Sequence, residues 1–527
     1  MSEPILQDPA DLAAENQKFR SHVGQISRHS GVFFAGTIFT AVFGYVFKVY
    51  LARTLGAEAL GIYALGMTVV GLLGIFGGLG LTWAASRFPA AYVGTGRTEE
   101  LRSFLGWSVL SLVALNGAFS VAIVISRRWI AVKLYHTPQL TGYLYLFAII
   151  MFLGALTTFF AQLLTGYKEV ARRSLIANIG AVVLTGIFTV ALVQLGTGLW
   201  GYVVAQVASA LVVLGLLLRA TIRFTPKAAL SMWRRLPRPP AEMFSFAAAA
   251  FTMDVLGFLY SQTDKVILGF YLNARSVGIY AVAAAVVAFI PIALQSVNQI
   301  FSPTISDLHT RGELGLLNRL YQSLTRWVFG LTWPLALVVT VLSHRFMRIF
   351  GPDFEAGWPI LVIGAAGQLV NCGVGSVGFL LLMSGNERRL VRVQLAMGVV
   401  TVIACLLLVP RFGIMGAAVA AAAGNAGANI WCLREVKRAL GLFPYNRAYW
   451  KLTLPIVSTA LIAFGLRRGM TSMHSDFVAA GLAVFLLYAV FIVAMLLAGL
   501  DADDRFIADA LWLRVRGLLS RTHSGGA

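Results

Sequence analysis

KVYLARTLGAEALGIYAL at 48–65 returns as KVILGFYLNARSVGIYAV at 265–282, ungapped, at an offset of 217 residues. Nine of the eighteen positions are identical, where chance in so apolar a chain gives about two. The matches include the lysine that opens each copy and the Gly-Ile-Tyr-Ala near its end. A repeat of this length means that one structural unit has been built twice.

Composition says what the unit is made of. Of 527 residues, 58% are hydrophobic and 12% charged, and the mean hydropathy is +0.79. A soluble globule has roughly 45–50% apolar and ~25% charged residues, so this is a polytopic membrane protein. Stretches near the ~20 apolar residues needed to cross ~30 Å of hydrocarbon lie at 31–52, 62–85, 104–125, 142–164, 175–194, 198–218, 244–269 and 277–301. Six more lie at 327–343, 358–383, 393–409, 414–433, 452–470 and 477–499. Their length and continuity predict helices, not barrel strands.

Six spans separate the two copies, an even number, so the halves share one orientation and are related by an axis along the membrane normal. Other pieces align in the same way. Pro89, Arg97 and Glu99 match Pro303, Arg311 and Glu313 at offset 214, and GLWG (198–201) matches GIMG (413–416) at offset 215. The expected fold class is therefore all-α, with about 14 transmembrane helices: two parallel six-helix repeats as N and C lobes, plus two appended helices. The expected segments are a cytoplasmic amphipathic N-terminal segment (1–30), the N lobe (31–218), a basic cytoplasmic linker (219–243), the C lobe (244–440), spans thirteen and fourteen (441–499) and a cytoplasmic amphipathic tail (500–527). That tail opens with Asp501, Asp503 and Asp504 and ends in Arg514, Arg516 and Arg521, the polarity that a helix dipole favours.

With the N-terminus cytoplasmic, Lys and Arg divide as 30 on the inner side and 10 on the outer, counting Arg467 and Arg468 at the outer end of span thirteen, with Lys48 and Lys265 inside spans. That is the positive-inside pattern. Arg127, Arg128 and Lys133 oppose it, falling on the outer side between spans three and four, where only attraction to something anionic accounts for them. The net charge of +20 does not indicate nucleic acid, because the excess sits in short inner loops that orient the chain and meet anionic headgroups. Cys372, Cys405 and Cys432 lie in spans without metal-ligand spacing, so neither a disulfide framework nor a metal site is expected, and no cofactor. The N-terminus is acidic and polar for some thirty residues, the wrong order for a cleaved signal peptide, so span one is expected to remain. GLLGIFGGLGL (71–81) has G-x-G-like spacing, but inside a span it serves close helix approach and not phosphate binding.

An ionisable group inside a span is costly and marks function by default. Asp254 lies about ten residues from the inner end of span seven, near mid-bilayer. Phe258, Ser261 and Lys265 follow at helical spacing, so the four are expected on one face towards a hydrated cavity. Asp254 and Lys265 are ~16 Å apart along the helix, so each must find its own partner. The alternative for Asp254 is an interhelical hydrogen bond. Asp264, turned ~100° from Lys265, is a second ion-coupling candidate. Lys48 and Lys265 occupy the same station in the two halves; either they snorkel to the outer interface, or they place two positive charges on opposite walls of one cavity. Thr37 stands where the N-terminal half would have its Asp254. Gln295, Asn298 and Gln299 share a face of span eight after Pro291, whose ring would kink that helix. Gln368 with Asn371, and Asn425 with Asn429, read as polar contacts between helices.

SQTDKVILGFYLNARSVGIYAVA (261–283), SPTISDL (302–308) and VPRFGIMGAAVA (409–420) resemble the polysaccharide-transport (Wzx-type) flippases of the multidrug/oligosaccharidyl-lipid/polysaccharide (MOP) exporter superfamily, over nearly the whole chain. The resemblance implies two bundles around a central cavity lined by spans one, two, seven and eight. It implies alternating-access export of undecaprenyl-pyrophosphate-linked oligosaccharide across the bacterial inner membrane, commonly ion-coupled, for surface polysaccharide. Lys48, Lys265 and Arg87 would meet the diphosphate as charge-assisted donors, with Gln295 and Asn298 as polar wall, and Asp254 and Asp264 would couple an ion. The implied partners are the lipid-linked oligosaccharide, membrane lipids, and a polysaccharide polymerase with its export machinery. A drug or small-metabolite exporter of the same superfamily would more naturally use an acidic cavity. A membrane enzyme would need a large outer loop, and the longest here is about sixteen residues.

Reporter fusions should place residues 219–242 and the C-terminus in the cytoplasm and 195–197 outside. An outward 219–242 loop would overturn the orientation.

Overall fold

The structure, a computed structural model, describes residues 9–226, 229, 241–469 and 475–499. The expected tail over 500–527, residues 230–240 of the basic linker and the first residues of the N-terminal segment lie outside the described residues. Among the described residues every regular element is helical, as hydrocarbon requires of a backbone with no water to bond. The first half runs α1 (Pro9–Gly78), α2 (Leu81–Gly94), α3 (Thr98–Arg128), α4 (Leu144–Gly166), α5 (Val170–Arg173), α6 (Ala181–Gln194) and α7 (Gly198–Phe224). Then come α8 (Ala241–Ser261), α9 (Thr263–Tyr271), α10 (Ala274–Val287), α11 (Ile292–Thr310), α12 (Leu314–Val341) and α13 (Ser343–Phe350). The chain closes with α14 (Trp358–Val374), α15 (Val377–Met383), α16 (Glu387–Leu440), α17 (Thr453–Gly469) and α18 (Asp476–Ala498).

Eleven helices among the described residues are long and apolar enough to cross a membrane, or twelve if Ala274–Val287 and Ile292–Gln299, bent by 55°, form one span. Two are too long for a single crossing. Phe43–Gly78 has 36 residues and Glu387–Leu440 has 54, about 54 and 81 Å of helix against ~30 Å of hydrocarbon. Each is interrupted at a glycine: Gly56 (φ 80°, ψ 173°) and Gly413 (φ 58°, ψ −133°), in regions that penalise any side chain. Counted as two crossings each, with the bent pair as one, they bring the total to the fourteen spans that hydropathy predicts. The 55° bend falls at Pro291, the residue before α11, where the missing N–H and the ring end the preceding helix.

The structure gives the repeats a physical reason. Gly198 and Gly413, which open the matched GLWG and GIMG, both take left-handed φ, 57° and 58°. The second glycine of each tetrad also has no room for a side chain: a Cβ on Gly201 would strike Thr197, and one on Gly416 the carbonyl of Leu408. The opening repeat is tighter still. A Cβ on Gly61 would run into the carbonyl of Ala274, and a Cβ on Gly278 into the carbonyl of Ala57. Ala57 and Ala274 correspond, as do Gly61 and Gly278, at the repeat offset. The contact is therefore reciprocal, the signature of a two-fold relation, made by small residues spaced four apart so that backbones meet.

By packing, the molecule separates into two compact units, one of Gly44–Val282 with Thr401–Ala417 and the other of the remaining described residues. The core of the first is built around Phe88, Phe104, Phe159 and Leu163. That of the second is built around Phe301, Leu317, Tyr321 and Leu380.

Gly61→Val and Gly278→Val should each destabilise the protein by about 1–3 kcal/mol, the range for overpacking, because a backbone carbonyl cannot step aside as a side-chain tip can. Gly74→Ala, where nothing lies within 4 Å, is the control. Thermal unfolding in detergent that leaves both valine variants at the parent's midpoint would show the crossing to be loose.

Candidate functional site

The two lysines follow from the glycine crossing. Lys48 and Lys265 each stand nine residues before the alanine of their own copy, Ala57 or Ala274, so a reciprocal contact there carries the lysines with it. Both belong to the first compact unit.

Their surroundings differ. α8 stops at Ser261, Gln262 leaves helical geometry (φ −133°, ψ −16°), and α9 starts at Thr263. The break deprives the Ser261 carbonyl of its next-turn amide, since the Lys265 amide bonds to Gln262 O at 3.1 Å. The Lys265 ammonium takes that place, with Nζ donating to Ser261 O at 3.1 Å and to Gln262 Oε1 at 2.9 Å. A helix C-terminus favours such a cation. Lys48, on α1 two turns before its interruption at Gly56 and exposed, makes no hydrogen bond or ion pair with any described residue. The break also corrects the expected stripe: Asp254, Phe258 and Ser261 share α8, but Lys265 belongs to the next helix.

Neither lysine is neutralised by a carboxylate among the described residues. Asp264, adjacent to Lys265, makes no ion pair with its ammonium: Oδ1 accepts the Lys265 backbone N–H at 2.8 Å and Oδ2 the Tyr280 hydroxyl at 2.6 Å. Tyr63, the counterpart of Tyr280, accepts instead from Gln206 Nε2 at 2.8 Å. The same phenol thus meets a neutral amide in one copy and a carboxylate in the other.

Asp254 has a partner that sequence reading missed. Its Oδ1 accepts the indole N–H of Trp83 at 2.9 Å. The pair is set up one turn earlier. The helix is interrupted at Leu79 and Gly80, both with positive φ, and Gly80 lies so close to α8 that a Cβ would meet Ala247 O and Phe251 N. Trp83 and Asp254 follow that contact on their respective helices. The only signal in sequence was an indole N–H near the end of span two, a group that needs an acceptor when it leaves water.

The remaining candidates make other contacts. Arg87 is exposed, with its guanidinium 4.8 Å from the Phe246 ring and 5.8 Å from that of Phe88, a cation–π perch. Gln295 and Asn298 lie on α11 in the other unit; Gln295 is exposed, and Asn298 Oδ1 is buried without a partner among the described residues. Asn371 donates to Gln368 at 2.9 Å, and Asn429 to Asn425 Oδ1 at 3.0 Å. These amides bond within their own helices, not between helices as expected, because residues three or four apart lie on the same face. The second unit also holds an apolar cavity of about 200 Å³ between α12 and α18, lined by Trp327, Leu331, Tyr488, Phe491 and Leu496, suited to hydrocarbon and not to sugar.

Comparison with known proteins places this geometry. The family described as polysaccharide biosynthesis protein matches residues 26–309, more than half of the chain. A probable flippase, AglR, of Haloferax volcanii is 27% identical over 208 residues, 38% of this chain and 43% of that protein. The probable low-salt glycan biosynthesis flippase Agl15 of the same organism is 24% identical over 240 residues, 45% of this chain and 51% of that one. The chain thus spans about half the length of these curated relatives. Among solved structures, the lipid II flippase MurJ in an inward closed conformation superposes with a TM-score of 0.67 at 14% identity, covering 89% of this chain and 98% of that one. An inward-facing multidrug resistance MATE family transporter of the MOP superfamily gives 0.58 at 15% identity, covering 79% and 96%. At these identities the likeness is one of fold, that of the MOP transporters.

A cation with no counter-ion among the described residues adds nothing to the stability of the resting protein. Lys48→Met should therefore leave thermal stability unchanged to within about 1 kcal/mol, and added inorganic pyrophosphate should stabilise the parent but not this variant. A Lys48→Met protein that melts earlier, or that gains equally from pyrophosphate, would show that the ammonium is not waiting for an anion.

Proposed function

The chain belongs to the polysaccharide biosynthesis protein family, and from that premise we propose that it flips an oligosaccharide carried on a polyprenyl diphosphate between membrane leaflets by alternating access. The observation that carries the reading is the lysine pair: two ammonium groups at corresponding stations of the two repeat copies, neither ion-paired with a carboxylate among the described residues. A diphosphate supplies the missing charge. An ammonium has three N–H donors; Lys265 spends two on Ser261 and Gln262 and has one left for phosphate, while Lys48 has all three. Charge-assisted bonds to phosphate are short and strong, and the prenyl chain can stay in hydrocarbon throughout. A cationic drug would meet repulsion at the same place.

Alternating access requires the two copies to part. The Ala57–Gly61 and Ala274–Gly278 crossing is suited to that, because backbones that meet through small residues separate without unthreading side chains. Asp254 supplies an ion-coupling step. Its charged form is costly within a span and is held by the Trp83 N–H. Protonation turns that charge-assisted bond into a weaker neutral one, so α2 and α8 separate at lower cost when Asp254 carries a proton. The substrate of this reading is undecaprenyl-pyrophosphate-linked oligosaccharide, moved from the inner to the outer leaflet of a bacterial inner membrane, with both termini cytoplasmic. Glycosyl transfer supplies it, and a polysaccharide polymerase and export machinery consume it.

Flipping of a fluorescent polyprenyl-diphosphate oligosaccharide in proteoliposomes tests the reading. Lys48→Ala and Lys265→Ala should each slow flipping at least tenfold, with Arg at either position restoring part of the rate because charge is kept. Asp254→Asn should still flip but ignore an imposed pH gradient. Parent-like flipping by the double alanine variant, or transport of cationic dyes in preference to the lipid, would sink the proposal.

A further inference from the structure

We propose that the end of α3 holds the headgroup of an anionic membrane phospholipid, with Arg127, Arg128 and Lys133 on its phosphate and the aliphatic face of α3 beneath them receiving an acyl chain. The inference depends on the chain spanning a membrane and not on its transported substrate.

Three features converge. The first is charge without compensation: all three cations are exposed, none bonds or pairs with a described residue, and the sequence has no Asp or Glu between Glu100 and Glu169. A cluster of this kind needs its counter-charge from outside the chain. The second is depth. The apolar run 104–125 is ~33 Å long as a helix, matching ~30 Å of hydrocarbon, so Arg127 follows it at headgroup level. Trp129, 60% exposed, takes the interfacial position that indoles prefer.

The third is the local backbone. Val121 and Ile125 are 59% and 78% exposed, one turn apart, and Arg128 continues their face. In an α-helix Lys133 would point about 140° away from Arg128. Residues Trp129–Leu134 instead form a π-helical turn, with the Tyr135 amide bonded to Ile130 O at 3.1 Å. In this i→i+5 pattern residue 133 comes to lie over residue 128. The widened turn thus gathers the cations above a strip of exposed aliphatic side chains, which is the outline of a phospholipid: anion above, hydrocarbon below. Guanidinium groups suit the phosphate because they bind it bidentately, and the attraction to anionic lipid is strongest near the surface. It also accounts for three basic residues retained on the side where the positive-inside pattern disfavours them.

The test is native mass spectrometry of the purified full-length chain after equilibration with equimolar phosphatidylcholine and phosphatidylglycerol of identical acyl chains. The parent should retain phosphatidylglycerol preferentially. Arg127→Gln, Arg128→Gln and Lys133→Gln should each lower that retention about fivefold, from ~1 kcal/mol per basic residue, while Arg128→Lys keeps most of it. Arg97→Gln, removing a cation already paired with Glu100 at 3.1 Å, should change nothing. Equal retention of the two lipids by the parent, or undiminished phosphatidylglycerol on the triple glutamine variant folded as the parent in phosphatidylcholine, would overturn the inference. So would inorganic phosphate protecting the parent against heat as well as phosphatidylglycerol does, which would make the site one for a soluble anion. Displacement of phosphatidylglycerol by a lower concentration of polyprenyl diphosphate would likewise reassign the site to substrate.

Discussion

The carbonyl oxygens of Ala57 and Ala274 lie where the side chains of Gly278 and Gly61 would begin. Much of the functional region depends on that prohibition. Two helices with side chains at the crossing would keep the usual 8–10 Å between axes; without them the backbones touch, and everything nearby on each helix is fixed relative to its counterpart. The lysines, nine residues earlier in both copies, inherit the relation. Their correspondence is not an accident of side-chain choice but a consequence of duplicating a helix with a lysine and then crossing the two copies at a glycine.

An apolar medium makes each remaining polar group answer for itself, and the partners found are specific. Asp254 has the Trp83 indole, Asp264 the Tyr280 phenol, and Lys265 the carbonyl freed at the end of α8. In the other unit, Arg326 is only 2% exposed and reaches Asn446 at 3.4 Å, while Arg345 and Arg348 meet Asp476 at 3.2 and 3.5 Å. Unpaired buried charge costs several kcal/mol. Lys48 stands out against this background because it is accessible and uncompensated within the described residues.

The fold was legible because crossing hydrocarbon demands length and apolarity, both of which are written residue by residue. The two repeats were legible because glycine and lysine are rarely interchangeable with anything. The interruptions were harder to see. Loops expected at 53–61 and after 409 shrink to single glycines, Gly56 and Gly413, since helical hydrogen bonding continues until a residue can leave it without steric cost. The break at Gln262 has no glycine or proline to announce it, so an uninterrupted face from Asp254 to Lys265 was the natural expectation. Trp83 as the partner of Asp254 was out of reach for a different reason: 171 residues separate them, and no local periodicity encodes a pairing across helices. Amides at helical spacing told only that they share a face, and they spend that proximity on one another.

The break at Gln262 makes the two lysines mechanically unequal. Lys265 is lashed to the carbonyl and amide of its own chain, so its charge follows α9; Lys48 has no such tether among the described residues. If the pair grips a diphosphate as proposed, one anchor fixes where the anion sits, and the other follows its far oxygens. A grip of this kind is tolerant: it holds the invariant part of a ligand while adjusting to tilt and bulk beyond it. Selection for a new sugar would then leave the lysines untouched and act on the walls around them, and transporters built on this plan should diverge in cargo faster than in grip.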